Sequence, residues 1–184
     1  MKVGVIDYGV GNLGSMMRAL EELRVVPVLV TRAIDMHAMD CLILPGVGNF
    51  SDCARLLHEG SWFQGLQDEV MGEQKPLLGV CVGMQLLASC SMEGANVDMP
   101  DGTLGLGLIP GRVVHLRTLG CDFRVPHVGW NAVTSTSTRG GLFDGIPVET
   151  DFYFVHSYAF VPENPVNVLA TTDYDGPVTA AVQS

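Results

Sequence analysis

A chain of 184 residues, 47% of them hydrophobic, can bury a sizeable core and fits one globular domain, which excludes a disordered or fibrous protein. Ten basic against twenty acidic residues give a net charge of −10 with no basic block, which argues against nucleic acid as a main partner and favours a small molecule or a protein. No apolar stretch approaches the roughly 18 residues of a membrane span. Met1-Lys2 leads into a strand-like run without a secretory signal, and the five cysteines (Cys41, Cys53, Cys81, Cys90, Cys121) form neither a C-x-x-C pair nor a zinc-spaced cluster. The expectations are reduced thiols, no metal or cofactor, no membrane and a cytoplasmic location.

The opening reads β-α-β: residues 3–7 as a short apolar strand, 13–23 with helical periodicity, and 25–30 β-branched and apolar. Between the first strand and the helix, Asp7-Tyr8-Gly9-Val10-Gly11-Asn12-Leu13-Gly14 contains G-x-G-x-x-G, the placement of a dinucleotide-binding fingerprint. That fingerprint calls for an acidic residue ending the second strand, about 20 residues on. The strand ends instead in Val30-Thr31-Arg32, so the plainer reading is a turn made by Gly9 and Gly11 with Asn12 capping the helix.

Residues 41–44 and 76–80 are further apolar runs, and 56–70 carries one more helix on Leu56, Leu57, Phe63, Leu66 and Val70. Short apolar strands alternating with helices indicate a parallel sheet. After about residue 94 the texture changes: glycines crowd 102–111, and short alternating segments follow at 112–116, 130–133, 152–160, 166–171 and 178–183. These favour antiparallel or mixed strands joined by turns. The fold class is therefore α/β, a single-domain open mixed sheet with a parallel core flanked by helices.

The most informative segment is Gly79-Val80-Cys81-Val82-Gly83-Met84, between an apolar run and the helical pattern Gln85-Leu86-Leu87-Ala88. Glycines on both sides of a Cys allow a strand to turn sharply into a helix with the thiol projecting, a nucleophile elbow with Cys in place of Ser. Free N–H groups and the helix dipole at such a junction favour a thiolate. A small core Cys in a glycine-rich turn fits the same short pattern. Pro45-Gly46-Val47-Gly48-Asn49-Phe50 follows the third strand and so belongs at the same carboxyl edge of the sheet, where ligands of open α/β sheets bind. Its glycines leave the peptides free to aim N–H groups at a developing oxyanion.

With these residues together, the chain resembles the class I glutamine amidotransferases through the Gly79 to Gln85 segment. Asp7-Tyr8-Gly9-Val10-Gly11-Asn12, Pro45-Gly46-Val47-Gly48, Pro126-His127-Val128-Gly129-Trp130-Asn131 and His156-Ser157-Tyr158 narrow the resemblance to the glutaminase subunits of imidazole glycerol phosphate synthase, from histidine biosynthesis. The resemblance implies that Cys81 attacks the side-chain amide of glutamine, giving a γ-glutamyl thioester and ammonia. It implies that Val82 and the Gly46-Val47 segment hold the oxyanion, and that Gly48, Gln85 and the backbone around His156, Ser157 and Tyr158 hold the amino-acid end. Ammonia would pass to a (β/α)₈ cyclase partner lying near Asn12 and Trp130. Read from the residues alone, His156 fits a hydrogen-bonded core histidine and Trp130 a filler of core volume.

One departure accompanies the resemblance. The class pairs its cysteine with an H-P-E segment one strand beyond the region matching residues 178–184, and no His-x-Glu occurs in these 184 residues. Two expectations follow: a shortened product of an ordinary glutaminase gene, or a catalytically dead subunit that only binds its partner. The mutual consistency of the local signals favours the first.

Overall fold

The computed structural model describes residues 1–94, 101–135 and 141–184. They fall into two compact units, Met1–Leu108 and Ile109–Ser184, the boundary lying some way beyond the change of texture near residue 94.

In the first unit four strands, β1 (Val3–Ile6), β2 (Pro27–Val30), β3 (Cys41–Leu44) and β4 (Leu77–Gly79), form a parallel sheet in the order β2-β1-β3-β4. The register sets Val3 opposite both Pro27 and Cys41, and Leu44 opposite Gly79. All four residues of β1 and the last three of β3 are buried, as expected of strands covered on both faces. Helix α1 (Leu13–Glu22) follows β1, and α2 (Phe50–Glu59) follows β3. Helix α2 buries Phe50, Cys53, Ala54 and Leu57, the i, i+3, i+4, i+7 spacing of one helical face.

The single helix expected over 56–70 is instead interrupted. Helix α2 ends at the Gly60 cap, Ser61 takes the left-handed conformation at φ 59°, and α3 (Trp62–Gln67) restarts before a wider turn at Asp68–Gly72. The break turns Trp62 and Leu66 into the core. Beyond β4, α4 (Val82–Gln85) is one turn long, and the short strands β5 (Cys90–Ser91) and β6 (Thr103–Leu104) pair antiparallel.

The second unit is antiparallel. Strands β7 (Gly111–His115) and β10 (Tyr158–Pro162) pair with each other. Strands β8 (His127–Ser135), β9 (Thr150–His156), β11 (Val168–Asp173) and β12 (Pro177–Val182) form a sheet in the order β12-β11-β8-β9. The segment read as one strand over 152–160 is two, changing partners at Ser157, whose carbonyl accepts the Leu116 N–H at 2.9 Å. Leu116, Cys121, Ala159 and Val178 make one apolar cluster, and Val133, Leu169, Ala170 and Ala181 another. All five cysteines are free. Among the described residues no helix is long and apolar enough to cross a membrane, and no group of three or more His, Cys, Asp or Glu is placed to hold a metal.

Candidate active site

Cys81 sits between β4 and α4 with φ 57° and ψ −120°, a conformation that costs a non-glycine residue on the order of 1–3 kcal/mol. Its side chain is exposed, while Val82 and Gly83 beside it are buried. The strand-to-helix turn closes because glycines let backbones touch. A Cβ on Gly83 would stand 1.9 Å from the Leu44 carbonyl oxygen, and one on Gly79 would stand 2.5 Å from the Gly83 carbonyl oxygen. The sharp elbow read from G-x-C-x-G is thus present, and the core-cysteine reading is overturned by exposure. The dipole argument weakens, because a helix of one turn has only a fraction of a macrodipole.

The loop after β3 lies against this elbow. A Cβ on Gly46 would stand 2.6 Å from the Gly83 nitrogen and 2.9 Å from the Val82 Cβ, so only a glycine fits there. Parallel pairing of β3 with β4 brings the two turns together at the carboxyl edge. Gly46 is buried, Val47 is 47% exposed, and Gly48 is exposed with φ +93°. Among the described residues, the N–H groups of Gly46, Val47, Gly48 and Val82 make no backbone hydrogen bond. Four donors near an exposed thiol can bind an oxyanion or a polar ligand.

Three groups that the sequence reading did not single out hold this loop. Tyr8, two residues beyond β1, is 5% exposed and its hydroxyl donates to the Pro45 carbonyl at 2.9 Å. The Cys53 thiol, one turn into α2, donates to the Val47 carbonyl at 3.4 Å. The Glu93 carboxylate accepts the Phe50 N–H at 2.9 Å, while the Asn49 side chain caps the helix from Ser51 N at 2.8 Å. Burial pushes the Tyr8 hydroxyl far above the ordinary tyrosine range, and the neighbouring Cys53 and Cys81 sulfurs push in the same direction. Burial likewise raises the Cys53 thiol and the Glu93 carboxyl. Tyr8 and Cys53 are neutral donors at any physiological pH.

Of the residues expected at the site, Cys81, Gly46, Val47, Gly48, Val82 and Gln85 are gathered in the first unit, Gln85 one turn after the thiol. Asn12 is also there, exposed and capping α1 through Ser15 N at 3.3 Å, with Gly9 and Gly11 at positive φ. This is the turn-and-cap arrangement, and the Gly11 Cα packs on Pro45. His156, Ser157, Tyr158 and Trp130 belong to the second unit.

In that unit His156 Nδ1 faces the Tyr158 carbonyl at 2.9 Å, so it carries the proton. Neutral His156 then presents a bare Nε2, which accepts from His127 Nδ1 at 3.0 Å. His127 is stacked between Phe154 and Tyr174, with ring centroids 4.9 and 3.9 Å away. Burial lowers the affinity of both imidazoles for a proton, and the nearness of the two rings, which disfavours charging both, adds to the effect on His127. Both ring nitrogens of His156 are therefore engaged within the second unit. Trp130 does not fill core volume: it is 72% exposed, paired edge-on with Tyr153, and flanked by exposed Val128 and Val155 on one face of the β8–β9 pair.

A glycine-framed cysteine at a strand-to-helix elbow, beside a glycine loop at the same sheet edge, is the arrangement of an enzyme nucleophile with oxyanion donors at hand. The family model for glutamine amidotransferase class-I matches residues 4–184, and the chain belongs to that family. Among solved structures, one described as a glutamine amidotransferase aligns with TM-score 0.70 at 20% identity over 95% of this chain and 82% of the other. A glutamine amidotransferase of Thermotoga maritima aligns with TM-score 0.64 at 16% identity over 95% and 68%. Likeness at that identity bears on the fold.

The sequence relatives are nearer. Imidazole glycerol phosphate synthase subunit HisH 2 of Vibrio vulnificus is 42% identical over all of this chain and 82% of its own length. Subunit HisH of Neisseria meningitidis is 39% identical over 99% and 86%.

Proposed function

We propose that this chain is the glutaminase subunit of an imidazole glycerol phosphate synthase, hydrolysing glutamine at Cys81 and supplying ammonia to a cyclase subunit in histidine biosynthesis. The observation that carries the reading is the exposed, positive-φ Cys81 at an elbow whose Val82 and Gly83 pack against Gly46. Sequence identity of about two residues in five to relatives of that name, over nearly the whole chain, supports the assignment.

The Cys81 sulfur adds to the carboxamide carbon of glutamine, and the carbonyl oxygen takes up the negative charge. The N–H groups of Val82 and of the Gly46-Val47 segment receive that oxyanion. The carbon–nitrogen bond then breaks, the nitrogen takes up the proton given up by the thiol and leaves as ammonia, and the γ-glutamyl thioester is hydrolysed by water to glutamate and the free thiol. Gly48 and Gln85 hold the amino-acid end of the substrate. The reading assigns no histidine of this chain to activate the thiol. His127 and His156 bond each other, His37 meets Glu69, His58 stacks on Phe63, and His115 accepts from Arg117 N.

The exposed Val128, Trp130, Tyr153 and Val155 face is the docking surface for the cyclase subunit, with which the chain forms a heterodimer acting in the cytoplasm. An apolar face of this kind on one side of a two-stranded ribbon is what a protein partner covers. The test is ammonia and glutamate release by the chain together with its cyclase subunit and that subunit's ligand. Stoichiometric release, lost in Cys81→Ala, is expected. A complex that assembles and releases neither product refutes the catalytic part.

A further inference from the structure

We infer that Tyr8 and Cys53 are positioning residues for the oxyanion loop: each pins one carbonyl of Pro45-Gly46-Val47-Gly48 and thereby aims the N–H of the next residue away from the protein interior. The inference deepens the glutaminase reading and rests on it for its catalytic meaning.

In a trans peptide the carbonyl and the following N–H point in opposite directions across one rigid plane. The Pro45 carbonyl is bonded to the Tyr8 hydroxyl at 2.9 Å, so the Gly46 N–H faces away from Tyr8. The Val47 carbonyl is bonded to the Cys53 thiol at 3.4 Å, so the Gly48 N–H faces away from Cys53. Alternate peptides of a four-residue glycine loop are thus fixed by two side chains from the buried side.

Such fixing is needed because glycines carry no steric preference for one peptide orientation. Gly48 already sits at φ +93° and a Cβ there would meet nothing, so packing does not hold that peptide in place. Tyr8 and Cys53 are suited to the task because both are buried, at 5% and 0% exposure, and both stay protonated donors. They come from different parts of the chain, Tyr8 from the turn after β1 and Cys53 from α2.

Tyr8→Phe keeps the ring and removes one donor, Cys53→Ala removes the other, and Cys53→Ser keeps an O–H donor. Two measurements test the idea on the parent and these variants. The first is the amide spectrum of protein labelled with ¹⁵N-glycine, where the Gly46 signal should shift or broaden in Tyr8→Phe and the Gly48 signal in Cys53→Ala. The second compares two reagents at Cys81. A chloroketone analogue of glutamine reacts by thiol addition to the ketone, forming an oxyanion, before sulfur displaces chloride. Iodoacetamide reacts by direct displacement of iodide with no oxyanion.

The expected result is a tenfold or greater slowing of the chloroketone reaction at saturation in Tyr8→Phe, whose freed peptide carries an oxyanion donor, with the half-saturating concentration within twofold of the parent. Cys53→Ala frees the Gly48 N–H that holds the amino-acid end, so there the half-saturating concentration should rise tenfold or more. The iodoacetamide rate should stay within twofold of the parent in both, and Cys53→Ser should recover most of the loss. A defect of folding would slow both reagents together and would not be rescued by serine. The inference is overturned if the two glycine signals are unmoved, if both reagents slow in parallel, or if the chloroketone rate is unchanged. A parent that takes up iodoacetamide and ignores the chloroketone, with the glycine signals shifted as expected, refutes the glutamine reading while confirming the pins.

Discussion

Gly83→Ala isolates what holds the elbow closed. The added methyl would lie 1.9 Å from the Leu44 carbonyl oxygen and 2.8 Å from its carbon. Carbon and carbonyl oxygen ordinarily meet at about 3.3 Å, so β3 and the elbow must separate by about 1.4 Å. Backbone, not a flexible side chain, has to move, so the cost belongs at the upper end of overpacking, about 3 kcal/mol. For a chain of this size that is a fall in melting temperature of about 6–12 °C. The Gly46 loop rests on the same turn, so the thiol and the loop N–H groups part by a comparable distance, and a misplacement near 1 Å costs about 100-fold in rate. Thermal unfolding and the chloroketone reaction of Cys81 read the two effects separately. Gly14→Ala is the control: a Cβ there meets nothing, Gly14 lies in α1, and the exchange should stabilise by about 0.5–1 kcal/mol. If Gly83→Ala melts within 2 °C of the parent and keeps its chloroketone rate, close backbone packing is not what shapes this site.

Trp130→Ala should weaken binding of the cyclase subunit by about 30-fold, the scale of an interface anchor worth 2 kcal/mol, while changing stability by less than about 1 kcal/mol because Trp130 is 72% exposed. Titration by calorimetry beside a melting curve checks both, and a large loss of stability with unchanged binding would remove Trp130 from the interface. The His127–His156 pair predicts a pH signature. Both imidazoles bind protons less readily in the folded chain than their ordinary 6.5, so the folded state holds fewer protons than the unfolded state. The stability they contribute is complete above pH 6.5 and is lost as pH falls through 6.5 toward their lower folded values. Melting curves should show this loss, and His127→Phe, which keeps an aromatic ring between Phe154 and Tyr174, should flatten the slope below pH 6.5; an unchanged slope would show that His127 does not titrate in this way.

The parallel core was legible because its strands are short apolar runs, and the elbow because glycines at 79 and 83 have no local reason to flank a cysteine except close backbone approach. The helix break at Gly60 and Ser61 was not legible, since Leu57, Phe63 and Leu66 keep a helical period through it. Only a left-handed Ser61, which any sequence pattern disfavours, marks the interruption. Tyr8 and Cys53 escaped notice for another reason. Tyr8 reaches Pro45 across 37 positions, a proximity created by β1 and β3 lying side by side, and no local spacing encodes it. Trp130 misled the residue-level reading because an apolar side chain on a strand signals burial in the protein's own core. Here the buried face of β8 carries His127 and Val133, and the apolar face with Val128 and Trp130 is open.

These features share one physical problem, which is the cost of holding Cys81 in a conformation that its Cβ disfavours. Strain on the order of 1–3 kcal/mol persists only where the surroundings over-determine it. Here the surroundings are backbone: Gly79 against Gly83, Gly83 against Leu44, and Gly46 against Gly83 and Val82. Each contact is closer than any side chain would permit, so relaxing Cys81 toward an ordinary conformation would mean pulling apart three backbone segments at once. The Gly46 loop is itself part of that clamp, and Tyr8, Cys53 and Glu93 hold it and the start of α2 by hydrogen bonds at Pro45, Val47 and Phe50. Strain at the nucleophile and orientation of the loop are therefore coupled, and a substitution that relieves one should disturb the other.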